Sequence, residues 1–216
     1  FEDWMKFLAD GNGMTNIPAV NECEAVAICA GYYLATGKIG VVYMQNSGLG
    51  KVVNPHPSLV SKDVYSIPIV YMIGWRGEPG FKDEPQHKMM GRIMLPLLEV
   101  LEIPYETLPD NIIQAREVIS RVKKRAKDSQ TPSAVIIKKE TLEKYLPQKR
   151  IDLNYGMTRE DAIKIIIDNL NGSEAIVSTT GKTSRELFEY RKEKGHSHAK
   201  DFLTVGSMGC SSAIGF

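Results

Sequence analysis

The chain has almost no net charge. Its 216 residues carry 27 Lys and Arg against 26 Asp and Glu, a formal +1. Such a balance presents no whole-molecule field to nucleic acid or to a membrane, so any anion site must be local. Cysteine is scarce too: Cys23, Cys29 and Cys210 form no C-x-x-C pair, which fits reduced thiols in a cytoplasm. No apolar run approaches the roughly 18 residues of a membrane span, and the opening residues show no secretory pattern. Repeats at solenoid periods and low-complexity tracts are missing. The chain opens on Phe1 and closes on VGSMGCSSAIGF, a Gly-rich turn running into an unfinished helix. It is expected to be part of a longer protein.

What is present is an alternation of apolar runs and helical patterns. IPAV (17–20) predicts a short strand, followed by an Ala-rich helix from Glu22 to Thr36 that Gly37 stops. IGVVYM (39–44) predicts a second strand, and Ser47-Gly48 opens the next helix. IPIVYMIG (67–74) is near-continuously apolar, as a strand buried on both faces should be. A helix near 88–101 and an extended piece at 103–106 follow. Asp110 is the expected N-cap of NIIQAREVISRVKKRAK, whose Ile112, Ala115, Ile119 and Val122 share a face. SAVIIK (133–138) predicts a further strand. This order implies an α/β fold, a mainly parallel sheet with helices on both faces, over residues 1–138.

The pattern breaks over 139–155, which reads as a linker. A second α/β unit is expected over 156–216: Thr158 and Asp161 have capping-box spacing before AIKIIIDNL, then come EAIVSTTG, a helix over 182–194 and DFLTVGSMG.

Several motifs admit both a chemical and a plain structural meaning. NSGLG (46–50) follows a strand and opens a helix, where backbone amides receive anions, but it lacks the last glycine of a dinucleotide fingerprint and any Walker Lys-Ser/Thr pair. Glu22 stands at a helix start, where the macrodipole favours a carboxylate; it is either a functional acid or a cap, and Glu24 suits the cap better. The basic run RVKKRAK (121–127) has no interleaved aromatics and reads as a solvated helix face. HSH (196–198) has no further metal ligand nearby and reads as loop.

GWRGEPGFKDEPQH (74–87) is harder to explain as scaffold. Turn residues would suffice for a loop, yet Trp75, Arg76, Lys82 and His87 stand there with Glu78, Asp83 and Glu84. Arg offers a fork that matches a phosphonate or carboxylate, and Lys adds a point charge. Trp75 would exclude water, and His87 is the natural proton carrier.

Together, NECEAVAICAGYYLATGK, VVYMQNSGLG, IPIVYMIGWRGEPGFKDEPQH, STTGKTSRELFE and TVGSMG resemble the phosphonopyruvate decarboxylase family, a branch of the thiamine-diphosphate-dependent decarboxylases. The resemblance implies a pyrimidine-binding domain followed by the start of a diphosphate-binding domain. It implies that Glu22 bonds N1′ of the cofactor's aminopyrimidine and that the Gly206 carbonyl accepts from its 4′-amino group. Met208 would prop the cofactor into its V shape, and the loop with Thr180 and Gly181 would serve its diphosphate end. Asn46, Ser47, Trp75, Arg76 and Lys82 are the expected substrate contacts, and His87 the proton relay. The implied partners are phosphonopyruvate, an intermediate of phosphonate biosynthesis, and further copies of the chain, with active sites between subunits.

The sequence departs from that family in places. The G-D-G and N-N motif for Mg2+ is not within the 216 residues and is expected beyond residue 216. The first strand and helix of the pyrimidine domain look clipped, and Cys23 and Lys51 replace more usual Gly and Asn. Two rivals stay open: decarboxylation of sulfopyruvate or another 2-oxo acid, and a non-catalytic module of the same fold. A plain nucleotide-binding protein ranks below them.

Overall fold

A computed structural model describes residues 2–148 and 155–216. They fall into two compact units, Phe1–Arg150 and Ile151–Phe216; positions 149–154 of the expected linker lie outside the described residues.

Unit 1 is built on a four-stranded, all-parallel sheet of β1 (Gly40–Gln45), β2 (Ile69–Gly74), β3 (Tyr105–Thr107) and β4 (Ser133–Ile137), in the order β1-β2-β4-β3. Strand alternation sorts its side chains between two cores. Ile69, Tyr71 and Ile73 of β2 pack with Val42, Met44, Ala134 and Ile136 on one face. Helices α2 (Glu22–Thr36) and α4 (Pro85–Val100) cover that face, contributing Val26, Ala30, Met94 and Leu98. Val70, Met72, Val135 and Ile137 look the other way, toward α5 (Ile112–Ser129). The sheet is therefore apolar on both sides, and the unbroken run at 67–74 follows from that.

Four local expectations need correction. Residues 17–20 form no strand: Pro18 has no N–H for a ladder, and the Val20 N–H is taken by the Glu24 carboxylate at 2.8 Å. The N-cap of α5 is Asn111, not Asp110; its Oδ1 accepts from the backbone of Ile113 and Gln114. The buried stripe of α5 is Ala115, Val118, Val122 and Ala126, while Ile112 and Ile119 stay exposed on its flank. The narrow patch offered by β2 and β4 takes one row of small side chains and leaves the flank uncovered. Residues 139–148, expected as linker, pack onto α1 (Glu2–Ala9): the Tyr145 N–H reaches Asp3 at 3.1 Å, and its ring meets Phe7 edge-on.

The sheet register prepares a site. Gln45, Gly74 and Ile137 are aligned partners on β1, β2 and β4. The next residues of those strands, Asn46, Trp75 and Lys138, thus leave the sheet side by side at its carboxyl edge, where open α/β sheets bind ligands.

Unit 2 pairs β5 (Ile176–Ser178) in parallel with β6 (Asp201–Leu203). Helices α6 (Arg159–Asp168) and α7 (Lys182–Glu193) pack through Ile163, Ile167, Leu187 and Tyr190. The Thr158–Asp161 capping box at the start of α6 is complete, with the Asp161 N–H donating to Thr158 Oγ1 at 3.1 Å and the Thr158 N–H to Asp161 Oδ2 at 2.9 Å. A short helix, α8 (Ser211–Gly215), follows the Gly-rich turn.

Candidate active site

Glu22 is the first residue of α2, but it does not cap the helix. That work falls to Asn21, whose Oδ1 accepts from the Glu24 N–H at 3.1 Å, and to Glu24 itself. The Glu22 side chain instead turns onto Gly48, in the turn that follows β1 (Asn46–Gly48) and leads into α3 (Leu49–Val52). A Cβ on Gly48 would stand 2.6 Å from Glu22 Cγ and overlap Cδ and Oε1. Only glycine admits the carboxylate there. The Glu22 side chain is 20% exposed, and its nearest charge is Lys51 Nζ, 3.8 Å from Oε2. That is too far for a hydrogen bond, and among the described residues the carboxylate accepts none.

The 74–87 loop is held differently. Asn46 is fully buried, and its amide pairs with the Arg76 backbone, donating to the carbonyl at 2.8 Å and accepting from the N–H at 3.2 Å. Its polar atoms are thus committed to scaffold, whereas the sequence reading placed them beside the substrate. Ser47 Oγ donates to Gln45 Oε1 at 2.8 Å. Trp75 Nε1 donates to the Gly91 carbonyl on α4 at 2.9 Å. Gly77, at φ +70, packs backbone to backbone against Gly91 and His87, a contact any side chain would break.

Arg76 meets Asp83 through two parallel bonds, Nε to Oδ2 at 2.8 Å and Nη2 to Oδ1 at 2.6 Å. Asp83 also accepts from the N–H groups of Gly77 and Glu84, each at 2.8 Å. The Arg76 hydrogen bond and those two amides hold its carboxyl well below the usual carboxylate range, burial opposing them. Glu78 is nearly buried and pairs with Lys138 at 2.7 Å; the same Lys138 ammonium stands 5.6 Å over the Trp75 ring. Lys82 is exposed and has no partner among the described residues. Burial pushes His87 below its ordinary value, and the Arg76 charge pushes it further.

In unit 2, the Thr180 hydroxyl donates to the Val205 carbonyl at 2.6 Å. This ties the β5–α7 loop to the turn carrying Gly206 and Met208, beyond the aligned ends Ser178 and Leu203. Gly181, at φ +88, precedes α7 without a side-chain cap, so the first amides of that helix are open. The basic run on α5 is partly spent on Glu106, which binds Arg121 and Arg125. His198 is bound to Asp201 at 2.8 Å and stacks on Phe188. All three cysteines are free, and Cys23 is exposed.

Residues 2–94 match the model of the thiamine pyrophosphate enzyme N-terminal TPP-binding domain. Over 92% of its length the chain is 33% identical to phosphonopyruvate decarboxylase of Streptomyces hygroscopicus, covering 51% of that protein. It is 32% identical to the phosphonopyruvate decarboxylase of Streptomyces viridochromogenes, covering 52%. Over 62% of its length it is 35% identical to sulfopyruvate decarboxylase subunit alpha of Methanococcus maripaludis, and here it covers 77% of the relative. The chain belongs to the thiamine-diphosphate-dependent decarboxylase family. It spans about half the length of the phosphonopyruvate decarboxylases that it matches.

Each unit, taken by itself, holds residues that fit a part of the family's cofactor. A mostly buried carboxylate with unfilled acceptor positions suits a ring nitrogen, and the uncapped start of α7 suits a phosphate. No His, Cys, Asp and Glu cluster among the described residues has the make-up of a metal site, and no described helix is long and apolar enough to cross a membrane. Sequence reasoning placed Asp83 in the loop and noted Lys51 as a departure from the family, but gave neither a partner, and it missed Lys138. Asp83 had a signal for its pairing, seven residues from Arg76 in the same loop; the other pairs arise from the chain's path.

Proposed function

We propose that the whole protein is a carbon–carbon lyase that decarboxylates 3-phosphonopyruvate to phosphonoacetaldehyde, with thiamine diphosphate and Mg2+. The observation that carries this reading is the Glu22 carboxylate, seated on Gly48 and accepting no hydrogen bond among the described residues. Glu22 would bind the aminopyrimidine N1′. In unit 2, the Gly206 carbonyl and Met208 would serve an aminopyrimidine ring, and the loop of Thr180 and Gly181 a diphosphate. Thiamine diphosphate, when bound, supplies the carbon nucleophile and the electron sink for the bonding pair left behind when carbon dioxide departs.

The remaining roles belong to the 74–87 loop. Lys82 is the loop cation left without a partner and would meet the phosphonate first. Asp83 occupies one edge of the Arg76 guanidinium, which leaves its other N–H groups for the same anion. Trp75 would keep water from the site, while Asn46, by its clamp on Arg76, would hold the loop and Ser47 beside the reacting carbonyl. The carbon that loses carbon dioxide takes one proton. His87, held toward its neutral form near pH 7, would relay it. We also propose a cytoplasmic setting, which three free cysteines fit, and a homo-oligomer with sites between subunits.

A second reading is supported by the sulfopyruvate decarboxylase relatives: a sulfonate needs nearly the same cationic pocket. The test is carbon dioxide release by the full-length protein with thiamine diphosphate and Mg2+, offered phosphonopyruvate, sulfopyruvate and pyruvate. Preference for phosphonopyruvate is expected. Preference for sulfopyruvate would establish the second reading, and silence on all three would point to a non-catalytic module.

A further inference from the structure

We infer that Lys51 is a positioning residue for Glu22, fixing the carboxylate for the cofactor's ring nitrogen without occupying the acceptors that nitrogen needs. The inference rests on the proposed role of Glu22 and adds a residue to it. Lys51 lies one turn beyond Gly48, so its side chain rises on the face of α3 against which Glu22 lies. Gly48 bounds the carboxylate on the Oε1 side, and Lys51 stands 3.8 Å away on the Oε2 side.

That separation is informative. At hydrogen-bond distance the ammonium would take an Oε2 lone pair and compete with the ligand. At 3.8 Å it attracts the oxygen and leaves the lone pair open. The carboxylate is 20% exposed and accepts no hydrogen bond among the described residues, so this one nearby cation biases its direction. The other nearby acid cannot substitute, because Glu24 is bonded to the Val20 N–H. Lys51 itself is 45% exposed, and exposed ion pairs add little to folding stability. Its effect belongs on ligand binding, not on melting temperature.

A double-mutant cycle in the full-length protein tests this, reading thiamine diphosphate affinity by calorimetry with Mg2+ present. Lys51→Met is expected to weaken binding about tenfold with the melting temperature unmoved, and Lys51→Arg to restore most of it. In a Glu22→Gln background Lys51→Met should change nothing, since the group it acts through is gone. Wild-type affinity in Lys51→Met would overturn the inference. So would an equal loss in both backgrounds, which would mean that Lys51 meets the cofactor itself. If Glu22→Gln alone binds normally, the role of Glu22 fails instead, and that result reads separately.

Discussion

Two regions at the carboxyl edge of the sheet in unit 1 handle charge in opposite ways. The 74–87 loop concentrates charge in sequence and then neutralises most of it: Arg76 with Asp83, and Glu78 with Lys138. The Glu22 corner is modest in sequence, yet it leaves a largely covered carboxylate with free acceptors. Burying polar groups costs free energy unless they are bonded. The loop meets that cost with Asp83 and with Lys138 from the end of β4, whereas the Glu22 carboxylate keeps part of its surface in solvent. A dense run of charge is therefore a poor guide to chemistry, and a largely covered acceptor without a protein donor is a better one.

The largest expected effect separates the two regions cleanly. Gly48 has helical dihedrals, φ −76 and ψ −15, so alanine fits its backbone. Gly48→Ala should therefore leave the fold intact while its Cβ drives Glu22 off its seat. Turnover of the full-length protein should fall by about 10²–10⁴, the range lost with an acid–base group. A Gly48→Ala protein with normal turnover would show that the seat is irrelevant.

Next is the loop's centre. Asp83→Asn removes the charge that gathers Arg76 and two backbone amides, and should cost about 1–2 kcal/mol, since Arg76 is partly exposed and its pairing is screened. The substrate KM should rise with little change in cofactor affinity. The pH sign follows from the depressed carboxyl. Its stabilisation is complete above the unfolded value, about 3.9, and drains as pH falls toward the folded one. Urea melts at neutral pH should separate wild type from Asp83→Asn, and the gap should narrow below about pH 4. A gap that widens in acid would contradict the pairing.

The sequence disclosed the fold more fully than the site, for a physical reason. Strands β2 and β4 and helix α2 were legible because burial on a sheet face imposes local apolar runs and a helix stop such as Gly37. The Thr158–Asp161 box was legible because both partners lie within one turn. Where neighbours decide, the reading failed: Ile112 and Ile119 have the right spacing but lie beyond the patch that β2 and β4 offer. The site depends on contacts of that second kind. Glu22 was picked out by family likeness, yet nothing local says that it rests on Gly48, because the packing of α2 against β1 and α3 brings them together. Asn46 carried an equal promise on residue type, and the return of the chain at Arg76 commits its amide to scaffold.

The smallest effect tests whether the loop's charges act as the geometry says. His87 is displaced downward by burial first and by the Arg76 charge second, while Asp83 and Glu84 oppose that shift. Followed by NMR, the His87 midpoint should rise in Arg76→Gln but stay below the ordinary value, because the larger cause persists. In Asp83→Asn it should fall further. A histidine held toward its neutral form leaves the folded state binding fewer protons than the unfolded, so this group's share of stability declines as pH falls through the window between the two values. The acid limb of turnover should follow the same midpoint if His87 carries the proton. Opposite movements in the two variants would confirm that charge sets the imidazole. Movement in one common direction would mean that either substitution simply opens the loop, and that His87 responds to water alone.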